Sequence, residues 1–161
     1  MNNYSKTKLE GEKFVEQAMK NYLIIRTNFF GWNKVKGESF AECVIKSLRA
    51  CKTINMFTDV IFSPLYVGTL VNFIARLLKS DLTGILNLAN CDSISKYDFG
   101  LNLAEVFNLD KGLINPLGVD SFRFKAKRPK NTSLNIERTE KVFGGLPNIS
   151  EEINKFYHEK K

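Results

Sequence analysis

Apolar positions along the chain alternate between helical spacing and short continuous runs. Leu9, Val15, Ala18 and Met19 predict a helix over residues 5–20. Tyr22-Leu23-Ile24-Ile25 follows as an unbroken apolar run, the pattern of a strand covered on both faces in a parallel sheet. Phe29-Phe30-Gly31-Trp32 leaves that sheet. Phe40, Cys43, Val44, Ser47, Leu48 and Cys51 mark one face of a helix over 38–51. Ile54 to Phe62 is strand-like and is broken by Ser63-Pro64. Val67, Leu70, Val71, Ile74, Leu77 and Leu78 predict a third helix, and Ile85 to Ala89 another short strand. Ser95, with Asp98 three residues later, is suited to cap a helix carrying Phe99, Leu103, Val106 and Phe107. Asn115-Pro116-Leu117-Gly118 reads as a turn. Ser121 to Lys127 alternates weakly before the basic pair Lys127-Arg128. Glu137 to Phe143 reads as a short helix stopped by Gly144-Gly145. Ile149 and Ser150 read as the staple and cap of a last helix ending near Lys160. Strands alternating with helices through short connections predict an α/β single domain, with no repeat, low-complexity segment or linker.

Composition changes this picture little. The 161 residues suffice for one core, and 43% hydrophobic and 25% charged residues are ordinary globular values. Thirteen phenylalanines predict an aromatic-rich core. Cys43, Cys51 and Cys91 make an odd count without a Cys-x-x-Cys pair. On one helix Cys43 and Cys51 stand about 12 Å apart, too far for a disulfide, so buried free thiols are expected. The lone His158 makes a histidine-based metal site improbable, and no metal site is expected. No apolar run reaches the ~20 residues that span a bilayer, and polar residues follow Met1, so a cytoplasmic protein without a membrane partner is expected. The formal charge of +7 suits an anionic ligand. Without an ordered basic-aromatic stripe, zinc-finger spacing or RNA-binding sheet signature, that ligand is expected to be a nucleotide-sugar diphosphate and not nucleic acid.

Chemistry begins at Tyr4-Ser5-Lys6-Thr7-Lys8. Residues four apart share a helix face. A phenol with an ordinary pKa of ~10 exchanges protons poorly at neutrality, and a neighbouring lysine cation favours its phenolate. Such a pair can act as general acid or base toward a carbonyl or hydroxyl. The spacing alone is weak, since Tyr157 and Lys161 repeat it. Context separates the first instance: it opens an amphipathic helix followed by a buried strand and Arg26-Thr27-Asn28-Phe29-Phe30-Gly31.

Tyr4 through Gly31 resembles the extended short-chain dehydrogenase/reductase family, in its dTDP-4-dehydrorhamnose reductase branch. Phe62-Ser63-Pro64-Leu65-Tyr66-Val67, Gly84-Ile85-Leu86-Asn87-Leu88-Ala89 with Ser95-Lys96-Tyr97-Asp98-Phe99, and Arg128-Pro129-Lys130-Asn131-Thr132-Ser133-Leu134 resemble further segments of it in the same order. The resemblance covers nearly the whole chain. It implies the C-terminal part of a doubly wound Rossmann-like sheet plus a small α/β substrate domain. Residues 1–35 would be the remnant of the core, and 36–161 mostly substrate-domain elements.

The resemblance also implies NAD(P)H and a nucleotide-activated sugar. Tyr4 and Lys8 would be catalytic. Lys8, Asn28 and Phe29 would meet the cofactor, and Phe30, Phe62 and Arg128 the substrate. The departures are the glycine-rich turn that seats a pyrophosphate, the upstream Ser or Thr of the catalytic group, and the first strands and helices of the core. The expectation is therefore a sugar-nucleotide reductase portion, incomplete alone. It would bind no dinucleotide alone, and would either meet a separately encoded N-terminal half or self-associate. A non-catalytic sugar-nucleotide-binding module, or part of an epimerase or dehydratase, stands as the alternative. Asp59 is assigned no role beyond a satisfied structural carboxylate.

Overall fold

The computed structural model describes residues 3–33, 35, 37–124, 126 and 128–159. Lys127 of the basic pair, Lys160 and Lys161 lie outside the described residues. Helix α1 (Asn3–Ala18) leads into β1 (Leu23–Phe30). Then come α2 (Phe40–Arg49), β2 (Ile54–Phe57), β3 (Ile61–Phe62), β4 (Pro64–Tyr66), α3 (Val67–Leu77), β5 (Gly84–Leu88), β6 (Ile94–Ser95), α4 (Lys96–Val106), β7 (Ile114–Leu117), β8 (Asn131–Thr132), α5 (Glu137–Phe143) and α6 (Ile149–Glu159).

Three small sheets form among the described residues. The first is parallel, in the order β4-β1-β5. The second pairs β2 with β7 in parallel. The third has β3 at its centre, antiparallel to β6 and parallel to β8. The sheet built on β1 thus takes in residues 64–66 and 84–88, so a division of the chain at residue 35 is not a division of this sheet.

The two faces of β1 differ in cover. Leu23 and Ile25 pack with Leu70, Phe73 and Leu77 of α3 and with Phe143 at the end of α5. On the opposite face Arg26 reaches Glu12 of α1. Helix α1 contains no buried residue. Its Tyr4 and Phe14 are 71% and 69% exposed, and Met19 just beyond it is 56% exposed, so its apolar face finds no cover among the described residues.

The edges of the sheet differ too. Successive residues of a strand aim their backbone groups at opposite neighbours. The Tyr22 carbonyl accepts from Gly84 N–H. Leu23, Ile25 and Thr27 therefore turn their N–H and C=O groups to the other side. There β4 reaches only Asn28, Phe29 and Phe30. The outer edge of β5, by contrast, is closed: Arg138 donates to the carbonyls of Thr83 and Ile85 at 2.6 Å each, and Thr139 Oγ1 to that of Asn87 at 2.5 Å. One edge of this three-stranded sheet is sealed by α5 and the other is open at its start.

The second core lies between α2, α4 and α6. Phe30, Phe99 and Phe156 meet edge to face at 5.2 and 5.5 Å, and Trp32 stacks on Phe156 at 4.3 Å. Trp32 also donates through Nε1 to the Phe156 carbonyl. The expected aromatic core is present. Its α2 face is rotated from the expected one: Ala41, Val44, Ile45 and Leu48 are buried, while Cys43 is exposed. All three cysteines are free but exposed, which corrects the expectation of buried thiols.

Two further corrections concern proline. The run Ile54–Phe62 is divided into β2 and β3, and Pro64 opens β4 instead of ending a strand. Pro116 lies within β7, expected as a turn. Both prolines sit in strands with a single partner strand, where proline is tolerated.

Candidate functional site

Tyr4 and Lys8 share a face of α1, as four-residue spacing requires. The Lys8 ammonium stands 5.6 Å from the centre of the Tyr4 ring. Thr7 donates through Oγ1 to the Tyr4 carbonyl at 2.9 Å. Helix α1 is tied to β1 by side chains: Arg26 donates to both Glu12 oxygens, and Tyr22 donates to Glu16 at 3.2 Å. The Arg26 guanidinium holds the Glu12 carboxyl below its usual range through hydrogen bonding, partly opposed by burial.

Asn28 and Phe29 lie at the C-terminal end of β1. Asn28 donates through Nδ2 to the Thr132 carbonyl of β8 at 3.0 Å, linking the first sheet to the third. Phe29 is 64% exposed. Phe30 points the other way into the core, as alternation along a strand dictates. Phe62 is also in the core, and both rings meet Phe99. At 4% and 5% exposure Phe30 and Phe62 present no open face for a substrate, so both are core residues and not rim contacts. Arg128 stands apart from this group, with its guanidinium 5.1 Å over the Phe124 ring.

Sequence reasoning missed several groups. Lys96, the first residue of α4, stands over the rings of Phe62 and Phe40 at 3.3 and 4.4 Å. Burial pushes its amine down to about 8, while the two ring faces favour its cation. A cation at a helix N-terminus is electrostatically misplaced, and that was the legible signal. Glu152 of α6 is fully buried. It accepts from Tyr66 N–H at 2.7 Å, Thr69 Oγ1 at 2.9 Å and Lys155 Nζ at 2.8 Å. It thereby caps α3, whose own N-cap residue Tyr66 provides no side-chain cap. Asp59 is a satisfied structural carboxylate: it accepts from Val119 N–H at 2.8 Å and pairs with Lys130 at 3.0 Å.

A dinucleotide needs two ends held. The pyrophosphate end needs open glycine backbone at a helix N-terminus. At the β4–α3 passage a Cβ on Gly68 would meet the Tyr66 ring at 2.5 Å, and one on Gly31 would meet Val67 at 2.4 Å, so protein fills both places. Among the described residues no three or more His, Cys, Asp or Glu gather to hold a metal, and no helix is long and apolar enough to cross a membrane.

The model of the RmlD substrate binding domain matches residues 1–161. The chain belongs to that family. A probable low-salt glycan biosynthesis reductase of Haloferax volcanii is 26% identical over 157 residues, covering 93% of this chain and 51% of its own. The dTDP-4-dehydrorhamnose reductase of Mycolicibacterium smegmatis is 28% identical over 140 residues, 86% of this chain and 42% of its own. The fold matches the dTDP-4-dehydrorhamnose reductase of Bacillus anthracis solved with NADP, with a TM-score of 0.89 and 26% identity over 99% of this chain and 56% of that one. This member of the RmlD family therefore spans about half the length of the relatives it matches. The match confirms the expected mixed α/β fold with parallel Rossmann-like pairing.

Proposed function

We propose that the chain is the C-terminal catalytic and substrate portion of a sugar-nucleotide reductase, and that it works against a complementary dinucleotide-binding half. One observation carries this reading. The helix bearing Tyr4 and Lys8 has no buried residue and is tied to β1, whose Leu23, Ile25 and Thr27 face no partner strand among the described residues, while Arg138 and Thr139 cover the carbonyls on the far edge of the same sheet. Open edges and exposed apolar faces are what a soluble fold covers when a neighbour is available. A parallel strand laid along β1 would use these groups and bury Phe14 and Met19 under its own helix.

In that assembly Tyr4 delivers a proton to the keto oxygen of the sugar, with the Lys8 ammonium beside its ring. NAD(P)H, seated mainly by the complementary half, would supply the hydride. Lys8, Asn28 and Phe29 hold its nicotinamide end in place. Arg128 offers a guanidinium fork to the substrate diphosphate. A second reading, a sugar-nucleotide-binding module without catalysis, is favoured by the fully enclosed Phe99 and Phe156, which need no partner for their burial.

The test is a reductase assay on the chain reconstituted with an N-terminal half taken from a relative. Tyr4→Phe should lower turnover about 10²–10⁴-fold, the weight of a positioned acid, with an unchanged melting temperature. Near-normal turnover by Tyr4→Phe would remove Tyr4 from catalysis and favour the module.

A further inference from the structure

A helix is ordinarily held at one rotation by a buried apolar stripe, and α1 has none. Of its residues only Ser5 and Glu12 escape full exposure. The position by which this helix sits on the sheet is therefore occupied by a carboxylate, a residue type seldom covered unless paired. Its pair is Arg26, which reaches both Glu12 oxygens from β1. A second tie runs from Tyr22 to Glu16. Hydrogen bonding to Glu12 is what holds the Arg26 cation most, and the Glu16 charge adds to it. Tyr22, Arg26 and Asn28 share one face of β1, because alternate residues of a strand point the same way. In both ties the later strand residue meets the earlier helix residue, so α1 runs antiparallel to β1.

These ties carry a consequence for Tyr4 and Lys8. Tyr4, Lys8 and Glu12 follow one another at four-residue steps, each turning about 40° round the helix. The direction of Glu12 therefore dictates that of Lys8 and, less closely, that of Tyr4. The step from Glu12 back to Lys8 covers about 6 Å of helix, and the step from Arg26 on to Asn28 about 6.6 Å of strand. The fork on Arg26 thus brings Lys8 level with Asn28, whose side chain is held by the Thr132 carbonyl. Without the fork α1 can roll about its axis. At a radius of about 6 Å, a roll of about 20° carries a side-chain tip about 2 Å. A misplacement of about 1 Å is enough to cost up to about 100-fold in rate.

We infer that Glu12 and Arg26 are positioning residues for the reaction: their fork sets the rotation of α1 on β1 and so aims Tyr4 and Lys8 at the end of that strand. The inference rests on the reductase reading and adds to it the pair that aims the acid. Both residues act through Tyr4 and Lys8.

The reductase assay on the reconstituted chain tests this through kcat. Glu12→Gln and Arg26→Gln should each lower kcat about 10-fold and leave the KM of the sugar nucleotide within about twofold. Glu12→Arg combined with Arg26→Glu restores a charge pair of reversed polarity and should recover most of the loss. Residual dipolar couplings of the labelled chain read the orientation of α1 against β1 without any catalysis. They should change in both single variants and return in the exchanged pair. Wild-type kcat in Glu12→Gln, or couplings that do not change, overturns the inference. So does an exchanged pair that regains the couplings but not kcat, because the rate then does not depend on how α1 is turned. Where the exchanged pair does not fold, Arg26→Lys, which keeps the charge but offers one prong, carries the test. Its kcat should lie between those of the wild type and Arg26→Gln, and any other order overturns the inference. If Tyr4→Phe keeps its turnover, the reductase reading fails and the inference with it. If Tyr4→Phe loses turnover and Glu12→Gln does not, the inference alone fails.

Discussion

Arg26 in the middle of β1 grips Glu12 on α1 with two hydrogen bonds, from Nε at 2.8 Å and from Nη2 at 2.5 Å. This fork is the principal tie between the sheet and the helix that presents Tyr4 and Lys8. An apolar contact would persist in salt and acid; a charge pair does not.

Salt and acid should therefore loosen α1 selectively. Glu12 titrates below its usual range in the fold. Its contribution is thus fully present above the unfolded carboxylate value of ~4.3 and is lost as pH falls through the folded one. Arg26 is 42% exposed, so solvent screening limits the pair to at most about 1 kcal/mol. Amide exchange of α1, corrected for intrinsic rates, should quicken in Glu12→Gln, in high salt and below pH ~4, while α3 and α4 stay protected. Equal protection of α1 in Glu12→Gln would deny the tether.

Glu152 should matter more. It is buried, it caps α3 from α6, and it accepts three hydrogen bonds there. Glu152→Ala should cost about 3–5 kcal/mol in urea unfolding, since it strands the Tyr66 N–H and the Thr69 hydroxyl. A loss under 1 kcal/mol would show that α3 is held by packing alone.

Lys96 gives the opposite pH dependence. Its folded value of about 8 lies below the unfolded ~10.4, so between these the unfolded chain binds more protons than the folded one. Stability should therefore rise as pH increases from ~8 to ~10. Lys96→Met should remove that rise while keeping the contacts with Phe40 and Phe62. A pH profile identical in both proteins would show that the ring faces hold the amine near its ordinary value.

The open edge and bare α1 should also make the isolated chain self-associate or bind apolar dye. Light scattering and dye fluorescence should both fall in a Phe14→Glu, Met19→Glu double variant. A cooperative wild-type monomer that binds no dye would contradict the need for a neighbour.

Where a local signal agreed with tertiary packing, the sequence could be read to the residue. Ser95 caps α4 by accepting from Asp98 N–H, and α5 spans Glu137–Phe143 and stops at Gly144 with φ 74°. The last helix is capped two residues earlier than expected, by Asn148 exchanging bonds with Glu151. Ser150 is not the cap, because the Asn148 amide side chain takes that place. The rotation of α2 was not legible. Phe40 looked like a core position, but its ring lies against Phe99 and Phe62 at the helix start, and Ala41 and Ile45 point inward instead. In the candidate site, the Tyr4–Lys8 face followed from spacing. The inward turn of Phe30 depended on where β1 ends, and the run Tyr22–Ile25 understated that strand by five residues (Ile25 against Phe30). The ring cluster of Phe57, Phe122 and Phe124 depended on β2 and β7 pairing across sixty residues (Phe57 with Leu117), which no local pattern encodes.

The most direct measurement is a titration of the purified chain with NADPH, followed by nicotinamide fluorescence, with and without a complementary N-terminal half. The account predicts no saturable binding by the chain alone, and saturable binding that depends on Lys8 once the half is added. Saturable low-micromolar binding by the chain alone would contradict it.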